Sequence, residues 1–104
     1  MTINFYNMPY NLKAGISLKN SNMQEQFNMA LHICNNEQDV LNNRQMLADA
    51  LGLPLQQFVF TNQTHSANFK KITLHDAGKG ALTVDSAIPN TDALYTFEKN
   101  IVLT

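Results

Sequence analysis

A chain of 104 residues can build one hydrophobic core but is too small for two cores joined by a linker. Its hydrophobic share of 44% suits a folded protein, yet charged residues make up only 14%, well under the usual quarter, and Asn and Gln supply the missing polarity. A net charge of −1 gives little field with which to attract a polyanion, which argues against a nucleic-acid partner, and the single Cys34 excludes an internal disulfide framework.

Nothing near Met1 has the charged start and apolar stretch of a signal peptide. The apolar runs, within Gln57 to Phe60 and Asn100 to Thr104, fall far short of the roughly 20 residues a membrane span needs. The reading is a cytoplasmic protein with no membrane partner.

In chain order, the opening residues mix apolar side chains with Asn7, Pro9, Asn11 and Gly15, which predicts a short extended segment entering a turn. Phe27 to Cys34 alternates, with Phe27, Met29, Leu31 and Ile33 on one side and His32 beside Cys34 on the other. That period of two predicts a strand. A helix follows over Glu37 to Leu51: Asn35-Asn36 offer N-caps, Glu37 and Asp39 complement the positive end of the dipole, and Leu51-Gly52-Leu53-Pro54 is a stop signal. Val40, Leu41, Leu47, Ala48 and Leu51 form its apolar stripe, with Arg44 in the middle. Either the Arg44 stem packs and its head reaches solvent, or a desolvated guanidinium meets a carboxylate, a row of carbonyls or an anionic ligand.

Phe58-Val59-Phe60-Thr61 predicts a second strand, from aromatic and β-branched residues. If it stays extended, Val59, Thr61, Gln63 and His65 share one face, and a neutral amide and an imidazole then end an apolar strand together. Ala67 to Leu74 predicts a further strand after a hairpin or bend at Thr64 to Ala67, before Asp76-Ala-Gly78-Lys-Gly80 breaks the pattern. Asp92 to Thr96 and Ile101 to Thr104 predict two short strands around the turn Glu98-Lys99-Asn100.

His32, Cys34, His65 and His75 are the metal-capable residues, but no CxxC or HExxH spacing accompanies them. No strained elbow surrounds Cys34 or Ser66, which argues against a nucleophile triad, and Gly78-Lys79-Gly80 reads as an ordinary turn. Gln63 and His65 are the sharpest pair: either a strand end meeting solvent, or a metal ligand or general base with an orienting or substrate-binding neighbour.

The ordered blocks Gly15-Ile-Ser17, Asn28-Met-Ala-Leu-His32, Asn43-Arg44 with Leu47, Gln63-Thr-His65 and Asp92-Ala-Leu-Tyr-Thr96 together resemble one family. These are the laccase-domain proteins, also known as multicopper polyphenol oxidase-like proteins, peptidoglycan editing factors and zinc-dependent purine nucleoside phosphorylases. The resemblance implies a mixed α/β (α+β) fold, a sheet core with outer helices similar to the catalytic domain of cytotoxic necrotizing factor. It implies His65 as one of three ligands of a catalytic zinc, with copper as the older assignment. It also implies Gln63, Arg44, Asn28 and His32 around the substrate, here a purine nucleoside with phosphate, for phosphorolysis and also adenosine deamination.

The family's other ligands lie in an Ala-Asp-Cys segment and a His-Ala-Gly-Trp-Arg-Gly segment, and neither occurs before Thr104. Leu12 stands where the family has an arginine, Asn35 where it has an aspartate, and Ser66 where a glycine follows the ligand histidine. The expectation is therefore a single incomplete domain over residues 1–104, the N-terminal portion of a longer protein, inactive alone and holding no metal tightly. The alternative is a non-catalytic module that self-associates or binds a partner through an exposed strand edge.

Overall fold

The structure, a computed structural model, describes residues 2–104. The chain divides into two compact units, Met1–Asn43 and Arg44–Thr104.

In the first unit, β1 (Ile3–Phe5) and β2 (Gly15–Ser17) pair antiparallel, Ile3 opposite Ser17 and Phe5 opposite Gly15. The extended start is thus one arm of a hairpin. The predicted strand over Phe27 to Cys34 does not form. Gln24–Phe27 is a 3₁₀ turn in which Glu25, Gln26 and Phe27 all have positive φ, and residues 31–33 form turn and bend. Local side-chain bonding gives the backbone an alternative to a ladder there. Asn28 Oδ1 accepts the Ala30 N–H at 2.9 Å, and Asn28 Nδ2 donates to the carbonyls of Ala30 and Ile33 at 3.2 and 2.7 Å. Glu25 Oε1 accepts the N–H groups of Asn35 and Asn36, both at 2.9 Å. Asn43 Nδ2 donates to the carbonyls of Gln24 and Asn28, both at 3.0 Å.

The helix α1 (Glu37–Leu51) has the predicted bounds. Asn36 Oδ1 accepts the Asp39 N–H at 3.2 Å, which caps one of the orphan donors of the first turn. At the other end Gly52 has φ +74°, and the Gly52 and Leu53 N–H groups return to the carbonyls of Asp49 and Ala48 at 3.2 and 3.3 Å. That is the Schellman closure the Leu-Gly-Leu-Pro stop signal encodes.

In the second unit, β3 (Phe58–Val59) pairs parallel with β6 (Val102–Leu103), and β4 (Phe69–Ile72) pairs parallel with β5 (Ala93–Thr96). β3 and β4 therefore belong to separate two-stranded sheets, and the chain between them bends instead of forming a hairpin. An isolated parallel bridge joins Thr61 to Ile88. One cluster of the core gathers Ala48, Leu55, Phe58 and Ala81, and another Val59, Ile72 and Ile88. Phe58 and Ile72 are fully buried, and each contributes about 2–3 kcal/mol by leaving water. The mixed helix and strand content predicted from the sequence is what the chain adopts, with small sheets.

Candidate functional site

Arg44 is 4% exposed. Its Nη1 donates to the carbonyls of Gly80 and Ala81 at 2.7 and 2.8 Å, and its guanidinium carbon lies 3.6 Å from the centroid of the Phe60 ring. Of the readings open from the sequence, the carbonyl row describes it, with an aromatic face added. The first acceptor closes the Gly78-Lys79-Gly80 turn and the second follows it directly. Gly80 has φ +76°, and a Cβ there would lie 2.8 Å from Phe60 Cβ and 2.9 Å from the Phe60 carbonyl oxygen, so only glycine lets this turn approach Phe60.

The same turn is tied by Asp76, which is 5% exposed. Its Oδ1 accepts from Lys79 Nζ at 2.7 Å and its Oδ2 from the Thr73 N–H at 3.1 Å, closing a capping box. Lys70 Nζ is 3.7 Å away. The Lys79 bond, then the Thr73 N–H and the nearby Lys70 charge, hold the Asp76 carboxyl below the usual carboxylate range, against the opposing effect of burial.

Gln63 and His65 lie on the exposed segment after Thr61. A shallow pocket of about 210 Å³ is lined by Thr61, Gln63, Asp92, Leu94, Leu103 and Thr104. Thr61 and Gln63 keep the alternation expected of an extended chain, but His65 is not among the lining residues. Its φ of +56° breaks the extended path, so the pair does not continue one strand face. The segment is tied down on both sides of the histidine: the Thr64 N–H donates to Asp92 Oδ1 at 2.8 Å, and Asn68 Nδ2 to the Asn90 carbonyl at 3.0 Å. Asp92 and Asn90 were not singled out as site residues from the sequence, and only long-range pairing reveals them.

Asn28 and His32 belong to the first unit. The Asn28 side chain is engaged with the backbone of its own turn, and His32 is exposed. Cys34 Sγ donates to the Leu31 carbonyl at 3.3 Å. Among the described residues no group of three or more His, Cys, Asp or Glu side chains could hold a metal ion. The residues present therefore do not by themselves fit a zinc or copper centre.

The sequence profile of the family described as multi-copper polyphenol oxidoreductase laccase matches residues 12–104. The chain belongs to this family. It is 39% identical over 94 residues to purine nucleoside phosphorylase YlmD of Bacillus subtilis, covering 86% of this chain and 34% of that protein. Against purine nucleoside phosphorylase YlmD of Geobacillus stearothermophilus the identity is 42% over 76 residues, covering 73% of this chain and 28% of the relative. Among solved structures, the hypothetical protein YfiH of Bacillus licheniformis superposes with a TM-score of 0.73 at 42% identity, over 74% of this chain and 29% of that one. YlmD of G. stearothermophilus superposes with a TM-score of 0.72. The chain thus spans about a third of the length of the curated relatives it matches. No helix among the described residues is long and apolar enough to cross a membrane.

Proposed function

We propose that this chain is the N-terminal portion of a cytoplasmic, metal-dependent purine nucleoside phosphorylase of the laccase-domain family. His65 then supplies one ligand of the metal and Gln63 lies beside the substrate, a purine nucleoside with phosphate. The observation that carries the reading is the Gln63-Thr64-His65 segment, exposed next to a polar pocket, in a chain 39% identical to a protein named purine nucleoside phosphorylase. Zinc is the metal we favour, since an imidazole suits it and the phosphorolysis reaction needs no redox change. The further ligands come from residues outside this chain, which alone holds the metal weakly and is inactive.

For Asn28 and Arg44, engagement with backbone carbonyls supports a role in holding the turns each one bonds, in place of direct substrate contact. His32 remains an exposed candidate for substrate contact.

The test is complementation. The purified chain with inosine and inorganic phosphate should show no phosphorolysis. Adding the separately produced part of G. stearothermophilus YlmD that lies beyond the match should restore it, and His65→Ala should abolish the restored activity. Phosphorolysis by the chain alone would overturn its incompleteness, and restoration that survives His65→Ala would overturn the role of the histidine.

A second reading, a partner-binding or self-associating module, draws on different residues. Phe69, Tyr95 and Phe97 form an exposed aromatic row on β4–β5, with ring centroids 6.2 and 6.1 Å apart. Parallel strands are normally covered on both faces. Light scattering that finds a strictly monomeric, folded chain would count against self-association through this face or through an exposed strand edge.

A further inference from the structure

Residues 88–92 form a strap along the segment that carries Gln63 and His65. The Asn62 N–H donates to the Ile88 carbonyl at 2.8 Å and the Thr91 N–H to the Asn62 carbonyl at 3.2 Å. Two residues further on, the Thr64 N–H meets Asp92 Oδ1 at 2.8 Å, and the Thr64 hydroxyl donates to Asn90 Oδ1. Beyond the histidine, the Asp92 N–H donates to the Asn68 carbonyl at 3.1 Å, and Asn68 Nδ2 returns to the Asn90 carbonyl at 3.0 Å. Asp92 thus grips the loop twice, by its carboxylate before His65 and by its backbone after it.

Between those grips His65 has φ +56°. A left-handed conformation in a non-glycine residue carries a cost and persists only where its surroundings over-determine it. The bond from an amide to a carboxylate is the charge-assisted one in this set, and it lies one residue from the strained position. Asp92 also lines the pocket with Gln63, so the same side chain joins the loop to the pocket wall.

We propose that Asp92 is a positioning residue for His65: its carboxylate, by accepting the Thr64 N–H, holds the histidine in its left-handed conformation. The catalytic meaning of this rests on the function proposed above, but the conformational effect does not. The experiment reads the conformation alone, so its failure is distinguishable from failure of the functional reading. Nuclear magnetic resonance on the full chain measures amide exchange at Thr64 and the φ-dependent couplings of His65, with the amides of Phe58 and Val59 reporting global stability.

In Asp92→Ala, Thr64 exchange should rise at least about tenfold relative to Phe58 and Val59, and the His65 couplings should leave the positive-φ range. Asp92→Asn keeps an oxygen acceptor without the charge; it should hold His65 at positive φ with Thr64 exchange between the two. That rescue separates positioning from a general loss of stability. If Asp92→Ala does not fold, Asp92→Asn decides by itself: faster Thr64 exchange with His65 still at positive φ supports the proposal, and unchanged exchange or a displaced φ overturns it. Unaltered His65 couplings in a folded Asp92→Ala chain would overturn it as well.

Discussion

The guanidinium of Arg44 lies 4% exposed against two carbonyls and an aromatic ring, whereas His65 sits on an exposed loop in a left-handed backbone. Both residues lie in blocks that carry the family resemblance, and both are polar groups set against an apolar pattern, Arg44 within the stripe of α1 and His65 after the Phe58–Thr61 run. One is closed in and its charge is spent on the Gly80–Ala81 turn. The other is held by its neighbours' hydrogen bonds and leaves its ring available. The contrast teaches that a polar residue inside an apolar pattern marks a constraint, and that burial decides whether the constraint is structural or chemical.

The largest expected effect belongs to the closed side. Arg44→Met keeps an apolar stem but removes the donor, leaving the Gly80 and Ala81 carbonyls short of a partner in a buried setting. Each buried, unsatisfied group costs about 1–3 kcal/mol, so the variant should lose about 3–4 kcal/mol, a large share of the ~5–15 kcal/mol that holds a domain together. Arg44→Lys, which keeps a charge but not the planar fork, should lose roughly half as much. Urea unfolding of the chain measures both, and an Arg44→Met midpoint equal to that of the unaltered chain would dissolve the contrast.

Asp76 ties the same turn and gives the closed side a pH signature. Its carboxyl value is lowered in the folded chain, so the stability it contributes is fully present above the unfolded value of about 3.9 and is lost as pH falls through the folded value. Asp76→Asn weakens the bonds to Lys79 and Thr73 and should cost about 1–2 kcal/mol at pH 7. The gap between variant and parent should close as the pH is taken below about 4. A gap that stays constant down to pH 2 would show that the ionised carboxylate contributes nothing there.

What the sequence disclosed follows the range of the interactions involved. The bounds of α1 were legible because Asn36, Gly52 and Leu53 cap it through bonds a few residues long. β3 and β5 were legible from their aromatic and β-branched content. The partners were not, because Val59 opposite Leu103 and Phe69 opposite Ala93 are pairings across long stretches of chain. The alternation of Phe27 to Cys34 imitated a strand, and nothing in Glu25-Gln26-Phe27 announces three positive φ values, since none of these is a glycine. Gln63 and His65 were read together on one strand face; the turn at His65 parts them, and it is held by Asp92 and Asn90, which a local reading does not reach.

On the open side the expected effect is no larger than that at Asp76, and it turns on the sign of one dihedral angle. At φ +56° a β-branched side chain clashes with its own backbone, while glycine meets no such penalty. His65→Val should therefore lose about 1–2 kcal/mol although it buries nothing and breaks no side-chain bond that holds the loop. His65→Gly relieves the strain but adds freedom to the unfolded chain, and the two terms of about 0.5–1 kcal/mol nearly cancel. The spread between valine and glycine, read from urea midpoints, is then the measure of the strain itself. If both variants match the parent, the histidine is not held left-handed in solution, and the open side of the comparison would be an unconstrained loop instead of a positioned one.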